Sequence, residues 1–403
     1  MNNNAESKCS EYHLPSAALL DYHVDEVAKE DKKYISEASQ NLKKTLESFG
    51  VDGHVSKITV GPRITQFVVE LKPGIRVEKV TRIQDNISKA LGAQSIRLHA
   101  PISGKDAVGI EVPNATASPI SLRPLLESDA WNNSKAAIPV LLGRDIAGRV
   151  AMFDLAKAPH LLIAGTSDSE KADCLNTLIM SLIFKFSPDE LKLLFHAQRG
   201  TMNRFGSLPH LLAPIEVEQE DSSSFLKWVV GEMERRYRVL KAVKSKTLAI
   251  FNARPAAPQP VFDDEGNEIP QKLPIIVVIV DELSDVMKGK SKEDAELAIC
   301  RIAQKGRAVG IHLVIATNSP QRSIVTGLIK ANLPTKIAFR VGDANESRVI
   351  LDSKGAEILL GDGDMLFNPP GEVNLERIQG ASVSEEEICR VVEAVSKNVD
   401  EQT

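Results

Sequence analysis

The chain has 403 residues, 43% of them apolar and 26% charged, which is enough for two or three domains with a sizeable core. A formal net charge of −5 excludes a globally basic nucleic-acid binder, so any contact of that kind has to be a local surface. Cys9, Cys174, Cys300 and Cys389 lie far apart without C-x-x-C spacing, which excludes a readable zinc site or disulfide framework. No apolar run reaches the roughly 18 residues of a membrane span, so a cytoplasmic location with reduced thiols is expected.

Residues 1–30 show no sustained periodicity and read as a tail or linker. After Asp31, the apolar positions Tyr34, Ile35, Ala38, Leu42, Leu46 and Phe49 recur at helical spacing and stop at Gly50, predicting an amphipathic helix. Strands are expected at 55–60, 63–71 and 109–112, with a helix at 80–91, so that residues 31–125 form a small α+β domain. Gly61-Pro62 and Lys72-Pro73-Gly74 are turn breaks within it. A connector with a short helical piece covers 118–134, and a strand, a turn at 143–148 and a second strand follow.

From there strands at 160–164, 191–196, 275–281, 311–317 and 335–340 alternate with helices at 171–185, 222–244, 293–308 and 323–330. That order predicts an α/β domain over 126–383, a parallel sheet with helices on both faces. The Pro-rich, acidic stretch 254–274 reads as a surface hairpin or loop, and 384–403 closes the chain with a helix.

Two stretches carry the chemistry. In Leu161-Leu162-Ile163-Ala164-Gly165-Thr166-Ser167-Asp168-Ser169-Glu170-Lys171-Ala172 an apolar strand meets a small-residue turn and a Lys-bearing helix start, the arrangement that holds phosphates on backbone N–H groups. In Ile275-Ile276-Val277-Val278-Ile279-Val280-Asp281-Glu282 a buried strand ends in two carboxylates, where a P-loop protein keeps an Asp for Mg²⁺ and a Glu for the attacking water. The loop departs from G-x-x-x-x-G-K-[ST]. Glu170 replaces the second glycine and is expected to obstruct close approach, and Ala172 has no hydroxyl for a metal. Asp168 and Glu170 each cost a polyphosphate about 1 to 4 kcal/mol of repulsion. A weak or inactive nucleotide site is therefore expected, with Lys171 paired to Glu170 or Asp168.

Other charged groups have plainer readings. The segment Glu232-Met233-Glu234-Arg235-Arg236-Tyr237 is expected to be an exposed helix face or a set of ion pairs, and His160, His210 and His312 are expected to be packed or capping histidines rather than ligands. Asp281 and Glu282 can also be solvated charges at a strand end. Arg307 is either a finger acting across a subunit boundary or a cation favoured by a helix C-terminus.

The motif order resembles the FtsK/SpoIIIE family over residues 30–380. The likeness is carried by Gly143-Arg144-Asp145-Ile146-Ala147-Gly148, Pro159-His160-Leu161-Leu162, Pro209-His210-Leu211-Leu212, Val280-Asp281-Glu282-Leu283, Ala303-Gln304-Lys305-Gly306-Arg307-Ala308, Gly327-Leu328-Ile329-Lys330-Ala331-Asn332 and Leu360-Gly361-Asp362-Gly363-Asp364. The resemblance implies a small α domain followed by a RecA-like P-loop domain that forms a hexameric, homo-oligomeric ring around double-stranded DNA, fuelled by ATP with Mg²⁺. It places Gly165, Thr166, Ser169 and Lys171 at the phosphates, Asp281 at the metal, Glu282 as the base, and Asn318 where the family has a sensor Gln. His196-Ala197-Gln198 stands where Asp-Pro-Lys is usual. Arg322, Lys330 and Lys336 are the candidates for contact with DNA phosphates. Three functions stay open: an ATP-driven translocase core, a pseudo-motor that binds DNA or forms rings without hydrolysis, and a ring carrying something other than DNA.

Overall fold

The computed structural model describes residues 12–22, 32–93, 95–99, 107–114, 119–197, 200–217, 222–288, 292–371 and 374–400. Residues 1–11 and 23–30 of the expected tail, Ser118 of the connector and Gln198 lie outside the described residues.

Strands β1 (Gly53–Val60), β2 (Ile64–Leu71), β3 (Arg97–His99) and β4 (Ala107–Pro113) form an antiparallel sheet in the order β1-β2-β4-β3. One face is covered by the helix Lys32–Ser48, whose Leu42 and Leu46 pack on Phe67, Val69 and Ile110. The single helix expected at 80–91 is two, Val77–Arg82 and Gln84–Ala90, broken at Ile83. The three-residue β3 is too short to leave a periodic signal in the sequence.

The large sheet contains β5 (Ile120–Ser121), β6 (Pro139–Asp145), β7 (Val150–Asp154), β8 (His160–Ala164), β9 (Leu191–Ala197), β10 (Glu216–Val217), β11 (Ile275–Val280), β12 (Ile311–Thr317), β13 (Thr335–Ala338), β14 (Asp364–Asn368) and β15 (Glu376–Ser382). The path is β10-β9-β11-β12-β8-β13-β14-β15-β6-β7, with β5 beside β15. The expected parallel sheet is the half from β10 to β13. Beyond β13 every step along the path is antiparallel, and the connections between β6 and β7 and between β14 and β15 are too short for a crossover.

The apolar runs of the parallel half are buried on both faces. In β11, Val277 and Ile279 face a core shared with the helices Asp168–Ile183 and Glu385–Asp400, while Ile276, Val278 and Val280 face the helices Ser222–Ala242 and Lys292–Lys305. Part of the expected tail belongs to this larger unit. Leu20 packs in its core beside Ile120, Leu122 and Leu125, and the Asp21 N–H donates to Glu387 (2.8 Å). The larger unit thus begins before residue 126 and recruits residues from the start of the chain.

A buried seam joins the two units. Gly61 brings its turn against the β6–β7 turn, where an added Cβ would lie 2.3 Å from the Ile146 carbonyl oxygen. Arg63 donates to the Asp362 carbonyl (2.9 Å) and carboxylate (3.2 Å). Deeper in, Arg377 of β15 lies between Asp364 and Glu111, and Glu111 also accepts from Arg97 (3.2 Å).

Candidate functional site

Strand β8 delivers the loop. The Gly165 N–H donates to the Thr317 carbonyl (3.3 Å), and a Cβ at Gly165 would sit 2.7 Å from that of Phe339, so only glycine permits this approach. Thr166 places both its N–H and its hydroxyl on the Arg340 carbonyl (3.1 Å each). Ser167 is the N-cap residue, and the helix starts at Asp168, three residues ahead of Lys171. Residues 168–170, which in a G-x-x-x-x-G-K loop arch over the phosphates, are here the first helical turn. The hydroxyls of Ser167 and Ser169 are 3.0 Å apart and satisfy each other.

The buried Lys171 ammonium lies 3.2 Å from Glu282 Oε2 and 3.6 Å from Asp168 Oδ1. The expected pairing with Asp168 is present, whereas Glu170 is not a partner. Its carboxylate, 5% exposed, accepts the Gly363 N–H (3.2 Å). The obstruction expected from Glu170 is thereby corrected. A buried carboxylate needs a donor, and this one finds it in the turn at 361–363 instead of standing over the loop. Burial, with Asp362 and Asp364 close by, raises the Glu170 pKa above the ordinary carboxyl range.

Glu282 is buried and accepts four donors. Oε1 takes the Ser284 N–H (2.9 Å) and the Thr317 hydroxyl (2.7 Å), and Oε2 takes the Asn318 N–H (2.8 Å) and Lys171. The solvated alternative for this residue is excluded. Nor is a carboxylate so saturated free to take a proton from water; in this arrangement it anchors the loop lysine. Thr317 escapes a reading of motifs alone, although a hydroxyl at the last position of a fully buried strand is a signal that it has a partner. Asn318 sits where the resemblance places the sensor and also donates its side-chain amide to Asp168. Asp281, also buried, is at the carboxyl end of β11 with its N–H on the His196 carbonyl (3.0 Å). Its carboxylate is the donor type that Mg²⁺ accepts.

The residues do not fit a Mg²⁺–triphosphate as arranged. The cradle is wound into helix, Lys171 is bound by two carboxylates, Ala172 lacks the metal-binding hydroxyl and Glu282 has no free lone pair direction left. Among the described residues no group of three or more His, Cys, Asp or Glu is placed to hold a metal.

The remaining candidates lie elsewhere. Arg307 is exposed, follows the C-terminus of the helix Lys292–Lys305 and donates to the Ala156 carbonyl (3.0 Å) near the start of β12, roughly 20 Å along that strand from Glu282 and out of reach of the site in its own chain. Arg322 is exposed between β12 and the helix Gly327–Asn332. Lys330 (2.7 Å) and Lys336 (3.3 Å) share Asp352, and Lys336 is buried, which removes it from the surface. Of the exposed face or ion pairs expected at 232–237, the ion pairs are present, Glu232 accepting from Arg235 (2.7 Å) and Arg236 (2.8 Å); Arg236 is fully buried and also donates to the carbonyls of Pro274 (2.8 Å) and Val309 (3.0 Å), locking its helix to the start of the sheet.

The histidines are packed, as expected. Burial, reinforced by His312 and Arg307, lowers His160 to about 3; burial lowers His210 and His312 to about 4 each. All three are neutral backbone partners: His160 accepts the Leu313 N–H (3.1 Å), His312 lies 3.1 Å from the Pro159 carbonyl and His210 2.9 Å from that of Phe186.

The FtsK/SpoIIIE family model matches residues 121–322, and the FtsK alpha domain matches residues 14–114. The chain belongs to the FtsK/SpoIIIE family. It is 43% identical over 390 residues to the DNA translocase FtsK of Clostridium tetani, covering 96% of this chain and 51% of that one. The DNA translocase SftA of Bacillus subtilis is 43% identical over 392 residues, covering 97% and 40%. The chain thus spans about half the length of these FtsK/SpoIIIE relatives. Among solved structures, the pCW3 conjugation coupling protein TcpA superposes with a TM-score of 0.56 at 20% identity, covering 89% of this chain and 99% of that one, which establishes the fold. The cytoplasmic domain of the Thermomonospora curvata type VII secretion ATPase EccC gives 0.58 at 25% identity over 69% and 34%. Among the described residues of this FtsK/SpoIIIE member no helix is long and apolar enough to cross a membrane.

Proposed function

We propose that this chain is the core of a duplex-DNA translocase that assembles as a ring and grips DNA without reading its sequence. The reading is carried by one observation: the α-type and P-loop units follow each other in family order, and Lys171, Asp281, Glu282 and Asn318 converge at one end of the sheet. Relatives that match nearly the whole chain are named DNA translocases. Arg322 is the exposed cation best placed among the three candidates to meet a phosphate, and Arg307 is available to a neighbour in a ring.

A second reading, a ring-forming DNA-binding protein that does not hydrolyse ATP, is favoured by the four-donor hold on Glu282 and by Ala172. The two differ in one physical demand. A motor has to release Lys171 from Glu282 and Asp168 in every cycle, whereas a pseudo-motor keeps that pairing.

Phosphate release measured with and without duplex DNA decides between them. DNA-stimulated release that disappears in Lys171→Ala and Asp281→Ala supports the motor. No release, together with a melting temperature unmoved by millimolar Mg-ATP, selects the pseudo-motor, because a ligand that binds only the folded state must raise stability.

A further inference from the structure

The helix Ser222–Ala242 ends in a Schellman cap. The Ser245 N–H donates to the Leu240 carbonyl (2.9 Å) and the Lys244 N–H to the Lys241 carbonyl (3.0 Å). Lys244 therefore occupies the position that glycine normally fills, and its φ is +55°. The other described non-glycine residues with positive φ are Asp352 and Asp362, a residue type that visits this region with local hydrogen bonding. A lysine there carries backbone strain that a glycine would not, and strain retained at one side chain points to a use for that side chain.

The surroundings indicate the use. Lys241, Lys244 and Lys246 are exposed, and none lies within ion-pair distance of a carboxylate among the described residues. With Arg238 and Ser245 they line a surface groove of about 640 Å³ whose lining contains no acidic side chain. Only Arg238 is engaged, with Glu265 at 3.4 Å. The helix dipole accounts for a cation at Lys241 but not for strain at Lys244, where glycine would complete the cap. In a chain of net charge −5 this is a local concentration of unpaired positive charge, in contrast to Lys330 and Lys336, both committed to Asp352.

We propose that Lys241, Lys244 and Lys246 form a contact for the phosphate backbone of duplex DNA, at the end of the parallel strands opposite Lys171. The inference rests on the reading that the protein acts on duplex DNA. Ammonium groups on flexible stems, in a groove lined by no carboxylate, bind phosphates and ignore base edges. The location follows from the next helix, where Leu248 packs on Gly310 at the start of β12, whereas Lys171 meets Glu282 near that strand's end. DNA held here leaves the nucleotide site unobstructed.

The test is fluorescence anisotropy of the full chain with a labelled duplex of about 30 base pairs between about 50 and 200 mM salt. In Lys241→Ala/Lys244→Gly/Lys246→Ala the slope of log K against log salt is expected to fall by about 2 to 3, with affinity at low salt down tenfold or more. Lys244→Gly alone is expected to melt higher than the wild type while binding DNA more weakly. A binding defect from misfolding cannot produce that combination. If the triple variant binds with the wild-type affinity and slope, the patch is no DNA contact and the inference falls while the DNA reading stands. If the wild type shows no salt-sensitive duplex binding, the DNA reading itself falls and takes the inference with it.

Discussion

Two buried cations organise this molecule, and they are held in different ways. Arg377 at the seam between the units makes a two-pronged contact with Asp364 (2.9 and 2.6 Å) and a third bond to Glu111 (2.7 Å). Burial by itself would lower its pKa, but the two carboxylates outweigh burial and raise it. Lys171 at the loop makes point contacts of 3.2 and 3.6 Å with Glu282 and Asp168. A planar guanidinium fixed at three bonds defines geometry, whereas an ammonium on a flexible stem can change partners. Burial of charge thus does not mark the functional end of this fold; the freedom of the charge to be re-paired does.

That difference is broken most directly at the seam. Arg377→Met leaves Glu111 with Arg97 and Asp364 with only the Leu360 N–H (2.9 Å) among the described residues, both carboxylates buried, and is expected to cost about 3 to 5 kcal/mol of stability in urea unfolding at neutral pH. A loss below about 1 kcal/mol would show that Arg377 does not hold the seam, and the contrast with the loop would disappear.

The loop should yield less. Lys171→Met removes one donor from Glu282, but the Ser284 and Asn318 N–H groups and the Thr317 hydroxyl remain, so the expected loss is about 1 to 3 kcal/mol in the same urea experiment. The order of the two variants is the result to check. A larger loss at Lys171 than at Arg377 would make the lysine a structural strut and count against its release in a motor cycle.

Much of this arrangement was legible in the chain. The runs at 160–164 and 311–317 coincide with β8 and β12 to the residue, because strands buried on both faces are apolar apart from His160, His312 and Thr317. The doublet Asp281-Glu282 and the position of Asn318 could be read because they end such runs. Three things could not. The destination of Glu170 depends on a turn almost two hundred residues away. The antiparallel extension uses β14 and β15, whose sequences mix Asp, Arg and Gln into their strands because those side chains build the seam. The packing of Leu20 against Ile120 and Leu122 comes from a segment with no periodicity to announce it.

The smallest expected effect is a difference in the sign of pH dependence between seam and loop. At the seam, burial would raise the Glu111 pKa, but Arg97 and Arg377 overcome it and hold the carboxyl below its ordinary value. Its stabilisation is complete above the unfolded glutamate value of about 4.3 and is lost as pH falls through the folded pKa. At the loop the Glu170 pKa is raised by burial first and then by Asp362 and Asp364, so the folded state holds the proton more tightly than the unfolded one. Stability through Glu170 therefore falls as pH climbs from about 4.3 to its folded pKa. Glu170→Gln keeps an acceptor for the Gly363 N–H and removes only the charge. Relative to the wild type it is expected to gain stability as pH climbs from about 4.3 through the folded Glu170 pKa, while Glu111→Gln is less stable by a constant amount over that interval and recovers only as pH falls below about 4.3. Melting temperatures of both variants across that range provide the measurement. A Glu170→Gln difference that stays flat above about pH 4.3, as that of Glu111→Gln does, would mean that Glu170 is held as an anion like Glu111, and that the loop is as rigidly built as the seam.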